Sequence, residues 1–326
     1  MKAIANDVYG PADVLELRDV EKPAIGDDEV LVRVKAAAVD AGVWILMTGR
    51  PYLVRLMGFG LRRPKVAVRG RDLAGVVEAV GAKVTRFRPG DEVYGTCDTG
   101  SFAEYAAAPE RLLARKPERL SFEQAAAVPV SAVTALQGLR DVGQVREGQR
   151  VMIIGASGGV GSFAVQIAKA LGARVTAVCS GAKADAVRAL GADDVIDYTA
   201  EEIDRDGPVY DVVLDLGGDR PLPLVRRALT RRGTLVLGGG GYKRFPVTGG
   251  FGRTIRTVLF TRFFVSQNLR GVTAKEDAAP LEDLTRLIDS GAVTPLVDRS
   301  YPLADASAAL TRFAAGHTTG KIVLTV

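Results

Sequence analysis

A glycine-rich segment at residues 155–161, Gly-Ala-Ser-Gly-Gly-Val-Gly, most constrains how this chain folds. The apolar residues 150–154 before it predict a buried strand, and residues 160–171 after it have the pattern of a helix. Glycine permits a tight turn close to a ligand, and a helix N-terminus offers free N–H groups and partial positive charge to phosphates. The segment therefore predicts the pyrophosphate turn of a dinucleotide-binding fold, with Ala156 in place of the usual first glycine.

The segments after this turn alternate between strand and helix patterns. Further strands are predicted at 174–178, 194–197, 211–215 and 233–238, mostly with helical segments between them. Such alternation predicts an α/β fold with a doubly wound parallel sheet. Residues 241–273 are rich in Gly and Arg and give no clear prediction.

The first ~120 residues have a different, β-rich pattern. Residues 29–36 alternate with period two, and short strand-like segments at 75–81 and 91–95 are bounded by Gly and Pro. Short strands at this spacing predict a small barrel or sandwich. The total of 326 residues agrees with two domains, since a domain averages ~150 residues.

Composition excludes several classes of protein. No apolar run reaches the ~20 residues of a membrane span, and the N-terminus has no secretory pattern, so we expect a cytoplasmic protein. Two cysteines and one histidine, His317, exclude a disulfide framework, a four-cysteine zinc site and any site that needs two histidines. The net charge is +5, but the basic residues are scattered, so nucleic acid is not an expected partner. Because no segment could span a bilayer, a membrane is not an expected partner either.

The strand after the glycine turn bears on the choice of cofactor. An NAD site has Asp or Glu about 20 residues past the turn, whereas this strand is followed by Ser180 and Lys183, with no acid before Asp185. A hydroxyl and an ammonium suit the 2′-phosphate of NADP(H), which a carboxylate would repel. We therefore predict NADP as the cofactor. The alternative, that Lys183 is simply solvated and either cofactor binds, stays open.

With these residues identified, the chain resembles the medium-chain dehydrogenase/reductase superfamily over nearly its whole length. The motifs that carry the resemblance are 9–15 (YGPADVL), 70–77 (GRDLAGVV), 88–93 (RPGDEV), 100–105 (GSFAEY) and 126–129 with 134–135 (AAVP, TA). The resemblance implies a GroES-like β-rich catalytic domain at 1–121, completed by 291–326, and a Rossmann NADP-binding domain at 122–290. It also implies a homodimer.

The first-domain metal ligands of the zinc-containing relatives have no counterpart. The position of their Cys falls at 38–42 (AVDAG), and their Gly-His-Glu reads Gly70-Arg71-Asp72. The chain is therefore similar to the zinc-free branch, which includes quinone, enone or alkenal, and enoyl reductases. Without a Lewis acid to polarise an alcohol oxygen, alcohol oxidation is disfavoured, while a quinone or conjugated carbonyl accepts hydride with less help.

The resemblance also implies site residues. Those expected at the cofactor, besides Ser180 and Lys183, are Thr134, Ala156, Ser157, Gly158, Gly159, Val160, Tyr198, Leu216, Gly217, Gly238, Gly239, Phe264 and Val265. Those expected at the substrate are Asp40, Trp44 and Tyr52. Asp40 stands where zinc-free relatives often carry Asn, so the role of that side chain does not carry over directly.

Tyr52 is the candidate proton donor for enone reduction. A phenol can donate a hydrogen bond to a developing enolate; the alternative is that solvent supplies the proton and Tyr52 only lines the pocket. The sequence thus predicts an NADPH-dependent reductase of quinones or α,β-unsaturated carbonyls. The alternative is a non-catalytic NADPH-binding protein with a redox-sensing or structural role.

Overall fold

The structure, a computed structural model, describes residues 1–240, 247–259 and 265–326. The chain divides into two units. The first unit contains Met1–Val133, Glu276–Gly291 and Pro295–Val326, and the second contains Thr134–Lys275 and Ala292–Thr294. None of the helices within the described residues is both long enough and apolar enough to cross a bilayer.

The elements are numbered along the chain. The strands are β1 (Lys2–Ala5), β2 (Glu16–Asp19), β3 (Glu29–Val39), β4 (Asp72–Val80), β5 (Glu92–Thr96), β6 (Tyr105–Pro109), β7 (Leu113–Arg115), β8 (Arg150–Ile154), β9 (Arg174–Cys179), β10 (Asp194–Asp197), β11 (Tyr210–Asp215), β12 (Leu229–Leu237), β13 (Asn268–Gly271), β14 (Val297–Pro302) and β15 (Lys321–Thr325). The helices are α1 (Ala41–Thr48), α2 (Phe122–Ala126), α3 (Pro129–Leu136), α4 (Gly159–Ala170), α5 (Ala184–Ala189), α6 (Leu222–Arg227), α7 (Gly249–Leu259), α8 (Ala278–Asp289) and α9 (Ala306–Ala315).

The first unit is built on a seven-stranded sheet with the order β14-β15-β3-β4-β5-β7, in which β6 also pairs with β3. The period-two pattern of β3 buries Val30, Val32 and Val34 in a core that Phe102 and Leu324 share. The C-terminal strand β15 runs antiparallel to β3, so the end of the chain belongs to this unit.

The second unit contains a six-stranded sheet with the order β10-β9-β8-β11-β12-β13, and all of its strand pairs are parallel. In chain order this is 3-2-1-4-5-6, the order of a dinucleotide-binding Rossmann sheet. The strands are nearly continuous apolar runs because helices cover the sheet; Met152, Ile154 and Leu235 are fully buried. The predicted fold class is thereby confirmed.

The unit boundaries differ from the predicted residues 121/122 and 290/291. The α2 helix packs on β3 and β4, and its Ala125 and Ala126 are buried there. The α8 helix packs beside β7, where the Tyr94 hydroxyl donates to the Leu281 carbonyl oxygen at 2.7 Å. Both helices therefore join the first unit, because long-range packing that local patterns do not reveal determines their place.

Candidate functional site

The glycine turn between β8 and α4 has the geometry of a phosphate cradle. Gly155 has a φ of +84°, which a side-chain-bearing residue rarely adopts. A Cβ at Gly161 would clash with the Gly155 carbonyl oxygen and lie 2.7 Å from the Cα of Ala156, so helix and turn pack closely. Gly158 precedes α4 without a side-chain cap. The first N–H groups of α4 thus keep their capacity to bind an anion.

The neighbouring strand end, at Asp215, organises the same edge of the sheet. Asp215 is fully buried at the end of β11, which pairs with β8. Its Oδ1 accepts the N–H groups of Gly217 and Gly218, each at 3.1 Å, and its Oδ2 accepts Arg253 Nη1 at 2.7 Å. One carboxylate therefore fixes the Gly217–Gly218 turn at the switch point, where Rossmann sheets bind their cofactors.

The glycines after β12 complete this edge. Gly238 N–H donates to the Asp215 carbonyl oxygen at 2.9 Å, and a Cβ on Gly238 would lie 2.5 Å from Leu216 Cδ2. Gly239 and Gly240 have φ values of +90° and +80°. The predicted residues Leu216, Gly217, Gly238 and Gly239 therefore lie together, as a close approach to a flat ligand requires.

Polar side chains cluster at the paired ends of β9 and β10, at the edge predicted to bind the adenosine part of the cofactor. Ser180 follows β9, and Lys183 ends the turn before α5. Tyr198, after β10, is 50% exposed, and the Arg220 guanidinium lies 5.1 Å from its ring centre. Arg220 thus adds a second cation that the sequence analysis missed, because it is distant in sequence from Tyr198.

Asp197, the last residue of β10, is a further acid at this edge. Its Oδ1 accepts Thr199 N–H at 2.9 Å and the Thr199 hydroxyl at 2.7 Å. These bonds, with a further bond from Gly181, lower the pKa of Asp197. Thr199 and the local backbone therefore stabilise the charge of Asp197, while Tyr198 stays half exposed beside Arg220 at this edge.

Thr134, Val160 and Val265 are half-buried residues of the second unit. Val265 packs against the apolar core of its sheet, and Val160 lies in the first turn of α4 after Gly159. Phe264, the other residue predicted for the loop over the nicotinamide, lies outside the described residues.

In the first unit, Asp40 caps α1. Its Oδ1 accepts Val43 N–H at 2.9 Å, while its Oδ2 is buried with no hydrogen-bond partner among the described residues. Trp44, one turn later, is half-buried against the core. Asp40 therefore has a structural role as an N-cap, and its second oxygen retains the capacity to accept a hydrogen bond.

Arg71 stands where zinc-containing relatives have a histidine, and acids surround it. Its Nη2 donates to Glu276 Oε2 at 2.7 Å, and the same oxygen accepts the Thr96 hydroxyl at 2.9 Å. Burial opposes its charge, but the carboxylates of Glu276, Asp40 and Asp98 raise the pKa of Arg71. A fixed guanidinium at this place disfavours a divalent cation. Glu276 is 205 residues away, so no local pattern could indicate the pair.

Asp72, next to Arg71, belongs to a fully buried network. Lys321 Nζ donates to Asp72 Oδ2 at 3.1 Å and to the Ser131 hydroxyl at 3.0 Å, and Val130 N–H donates to Asp72 Oδ1 at 2.9 Å. Burial raises the pKa of Asp72 to about 7 against the opposing effect of Lys321. The network ties β4, α3 and β15 together.

Tyr52 is held in a stack of aromatic and cationic groups. The Arg55 guanidinium carbon lies 4.9 Å from the Tyr52 ring centre and 4.3 Å from that of Tyr9. Arg55 Nε also donates to the Gly49 carbonyl oxygen at 2.9 Å. Tyr52 remains 42% exposed, so the stacked cations position its ring without burying the residue.

Metal-ligating side chains do not cluster in the part of the chain that the structure describes. No three His, Cys, Asp or Glu side chains there are arranged to hold a metal ion. Both cysteines are free and buried, and burial raises the pKa of Cys97 to about 11, which keeps its thiol protonated at neutral pH.

A family model described as alcohol dehydrogenase GroES-like domain matches residues 26–118, and one described as zinc-binding dehydrogenase matches residues 190–324. The NADPH-dependent alkenal/one oxidoreductase of Arabidopsis thaliana is 34% identical over 99% of this chain and 79% of its own length. The chain belongs to the medium-chain dehydrogenase/reductase superfamily. This superfamily member groups with quinone and alkenal oxidoreductases, as the sequence predicts.

Two solved structures support the same fold and family. The quinone oxidoreductase of Coxiella burnetii has a TM-score of 0.86 and 29% identity, covering 100% of this chain and 99% of that one. A mycobacterial protein in complex with NADPH has a TM-score of 0.82 and 29% identity, covering 100% of both chains. The prediction of an NADP-type cofactor is thus confirmed for this family. The Arabidopsis relative is described as chloroplastic, so the cytoplasmic location, like the homodimer, stays a prediction.

Proposed function

We propose that this superfamily member is a zinc-independent, NADPH-dependent oxidoreductase that reduces quinones or α,β-unsaturated carbonyls. The observation that carries the proposal is the replacement of the zinc-ligand positions by Asp40 and Arg71, the latter in an ion pair with Glu276. A site with this charge pattern has no Lewis acid for alcohol chemistry. Conjugated acceptors are already electrophilic at the carbon that receives hydride.

The second unit would hold NADPH, which supplies a hydride when bound. The turn at Gly155–Gly161 would bind the pyrophosphate through the uncapped N–H groups at the start of α4, and Gly161 allows the helix to pack closely on the turn. Ser180, Lys183 and Arg220 would hold the 2′-phosphate by charge-assisted hydrogen bonds, and Tyr198 offers a face for the adenine. The glycines at 217 and 238–239 would leave room for the nicotinamide.

The first unit would hold the acceptor and control its proton. A conjugated carbonyl that receives hydride at the β-carbon becomes an enolate, which needs one proton to give the saturated carbonyl. Tyr52 would donate a hydrogen bond to the enolate oxygen, while Asp40 and Trp44 would contribute to the substrate site. A quinone takes one hydride and one proton to give a hydroquinone, and water suffices for that proton.

The metal content of the purified protein tests the zinc-free assignment. Elemental analysis after dialysis is expected to find well under one zinc per chain, and NADPH oxidation is expected to survive a chelator. A stoichiometric zinc whose removal abolishes activity would overturn the zinc-free proposal. The chain's membership of the superfamily would not be affected.

A further inference from the structure

Basic residues are segregated along the chain. Residues 41–71 contain seven Arg or Lys and no Asp or Glu, so this segment alone carries +7. The rest of the chain has 36 basic and 38 acidic residues, a net charge of −2. The +5 of the whole protein therefore comes from one stretch of 31 residues, which corrects the impression of scattered charge.

The middle of this stretch exposes large apolar side chains. We call residues 50–66 the basic apolar loop. Leu56 is 74% exposed, Met57 58%, Phe59 44% and Leu61 63%. Four such residues within six positions form a concentrated apolar surface, unlike the single exposed apolar residues that any surface carries.

Hydrogen bonds hold this loop in a defined form. The Tyr9 hydroxyl donates to the Gly60 carbonyl oxygen at 2.6 Å, and Lys65 N–H donates to that of Phe59 at 2.9 Å. Gly60 has a φ of +112°, and a Cβ there would clash with the carbonyl oxygen of Arg63. The apolar tip and the cations that follow it are thus presented side by side.

The cations of the loop tip are not engaged in ion pairs with the residues that the structure describes. Arg62, Arg63 and Lys65 are exposed, and no ion pair joins any of them to another described residue. Elsewhere on the first unit, surface cations such as Lys2, Arg18 and Lys83 pair with carboxylates. The loop tip therefore offers its charge to an outside partner.

We propose that the basic apolar loop docks on an anionic lipid bilayer, with Leu56, Met57, Phe59 and Leu61 entering the interface and Arg62, Arg63 and Lys65 contacting lipid phosphates. Apolar residues flanked by cations are the combination that such an interface binds, and surface docking requires no spanning helix. This replaces the expectation that the chain has no membrane partner. A second copy of the loop is disfavoured because like charges would meet, and nucleic acid offers no surface for the aliphatic side chains.

Vesicle sedimentation of the full chain tests the proposal without cofactor or substrate. Its outcome therefore does not depend on whether the proposed reaction is correct. Binding is expected to vesicles of phosphatidylcholine with phosphatidylglycerol, and not to phosphatidylcholine alone. Arg62→Glu/Arg63→Glu and Leu56→Ser/Leu61→Ser are each expected to weaken binding by roughly tenfold or more. The control Arg33→Glu/Arg111→Glu makes the same charge change at exposed sites elsewhere in the first unit and is expected to bind as the wild type does.

A labelled variant gives a second measurement that does not depend on disrupting the loop. A polarity-sensitive dye on Leu61→Cys is expected to shift to the blue with phosphatidylglycerol vesicles, and the same dye on Val8→Cys is not. Absent vesicle binding, unchanged binding in both loop variants, or equal loss in the control variant would overturn the proposal. So would duplex DNA binding that Arg62→Glu/Arg63→Glu abolishes in a protein that ignores vesicles.

Discussion

Arg253 Nη1 lies 2.7 Å from Asp215 Oδ2, and both side chains are almost wholly buried. Asp215 uses its other oxygen to accept the N–H groups of Gly217 and Gly218. The ion pair thus neutralises the carboxylate that shapes the turn expected beside the nicotinamide. Arg253 lies in α7, within the segment that sequence patterns left unassigned.

Arg253→Met tests this pair. The substitution leaves the Asp215 charge buried without its partner, which costs about 3–5 kcal/mol of unfolding free energy in comparable cases. Chemical denaturation measures that loss, and NADPH fluorescence titration is expected to show weaker binding as the Gly217–Gly218 turn loosens. Arg256→Met, an exposed residue of the same helix, is the control and should stay within about 0.5 kcal/mol of wild type. Equal stability of the two variants would contradict the role given to Arg253.

Lys183→Ala tests the choice of cofactor. A charge-assisted hydrogen bond to a phosphate contributes roughly 1.5–3 kcal/mol, so NADPH affinity is expected to fall by about one to two orders of magnitude. NADH affinity should hardly change, because NADH has no 2′-phosphate. Arg188→Ala removes an exposed cation from the following helix, where it pairs with Asp185, and serves as the control. Equal KM values for NADPH and NADH in the unmutated protein would refute the assignment of Ser180 and Lys183.

Tyr52→Phe separates proton donation from positioning. If the hydroxyl protonates the enolate, kcat for enones is expected to fall by roughly 10²-fold, while quinone reduction and NADPH binding change much less. Tyr9→Phe is the control, since it alters the other tyrosine of the Arg55 stack. An enone rate that survives Tyr52→Phe would remove Tyr52 from the mechanism and leave the reaction class standing.

The stability of the first unit should depend on the protonation of Asp72. Because burial raises its folded pKa to about 7, the folded chain keeps this proton to a higher pH than the unfolded chain. The resulting stability is fully present below about pH 4 and is lost as the pH rises through about 7. Urea unfolding across this range should therefore show the wild type losing stability relative to Asp72→Asn.

Asp28→Asn, at an exposed carboxyl, provides the comparison for this pH series and should follow the wild type. The opposite slope, with the wild type gaining stability relative to Asp72→Asn as the pH rises, would mean that the pKa of Asp72 is lower in the folded than in the unfolded chain. Attraction to Lys321 would then outweigh burial in this network.

The parallel sheet of the second unit and its glycine turn are predictable from local sequence patterns. The strand, the glycines at 155–161 and the next helix are adjacent in sequence, and their spacing follows directly from the backbone geometry that a phosphate requires. The residues at the metal-ligand positions of the zinc-containing relatives, Asp40 and Arg71, are also identifiable from sequence, because each position lies inside a short motif. That the chain binds no zinc stays a prediction.

Contacts between distant residues could not be predicted in this way. The pairs Arg71–Glu276 and Asp215–Arg253 join segments 205 and 38 residues apart, and only the folded chain brings them together. Helix α7 begins with Gly249 and Gly250, residues of low helix propensity, and a Cβ on Gly250 would clash with the Gly240 carbonyl oxygen. Tertiary packing therefore decides that element, and propensity argues against it.

NADPH consumption with a panel of quinones, enones and alkenals, in the presence of a chelator, tests the central claim most directly. The proposed function predicts that at least one class is reduced, with one NADPH oxidised for each acceptor molecule converted, and that simple alcohols are not oxidised with NADP⁺. Tight NADPH binding without oxidation by any acceptor in the panel would contradict the claim and favour a cofactor-binding sensor.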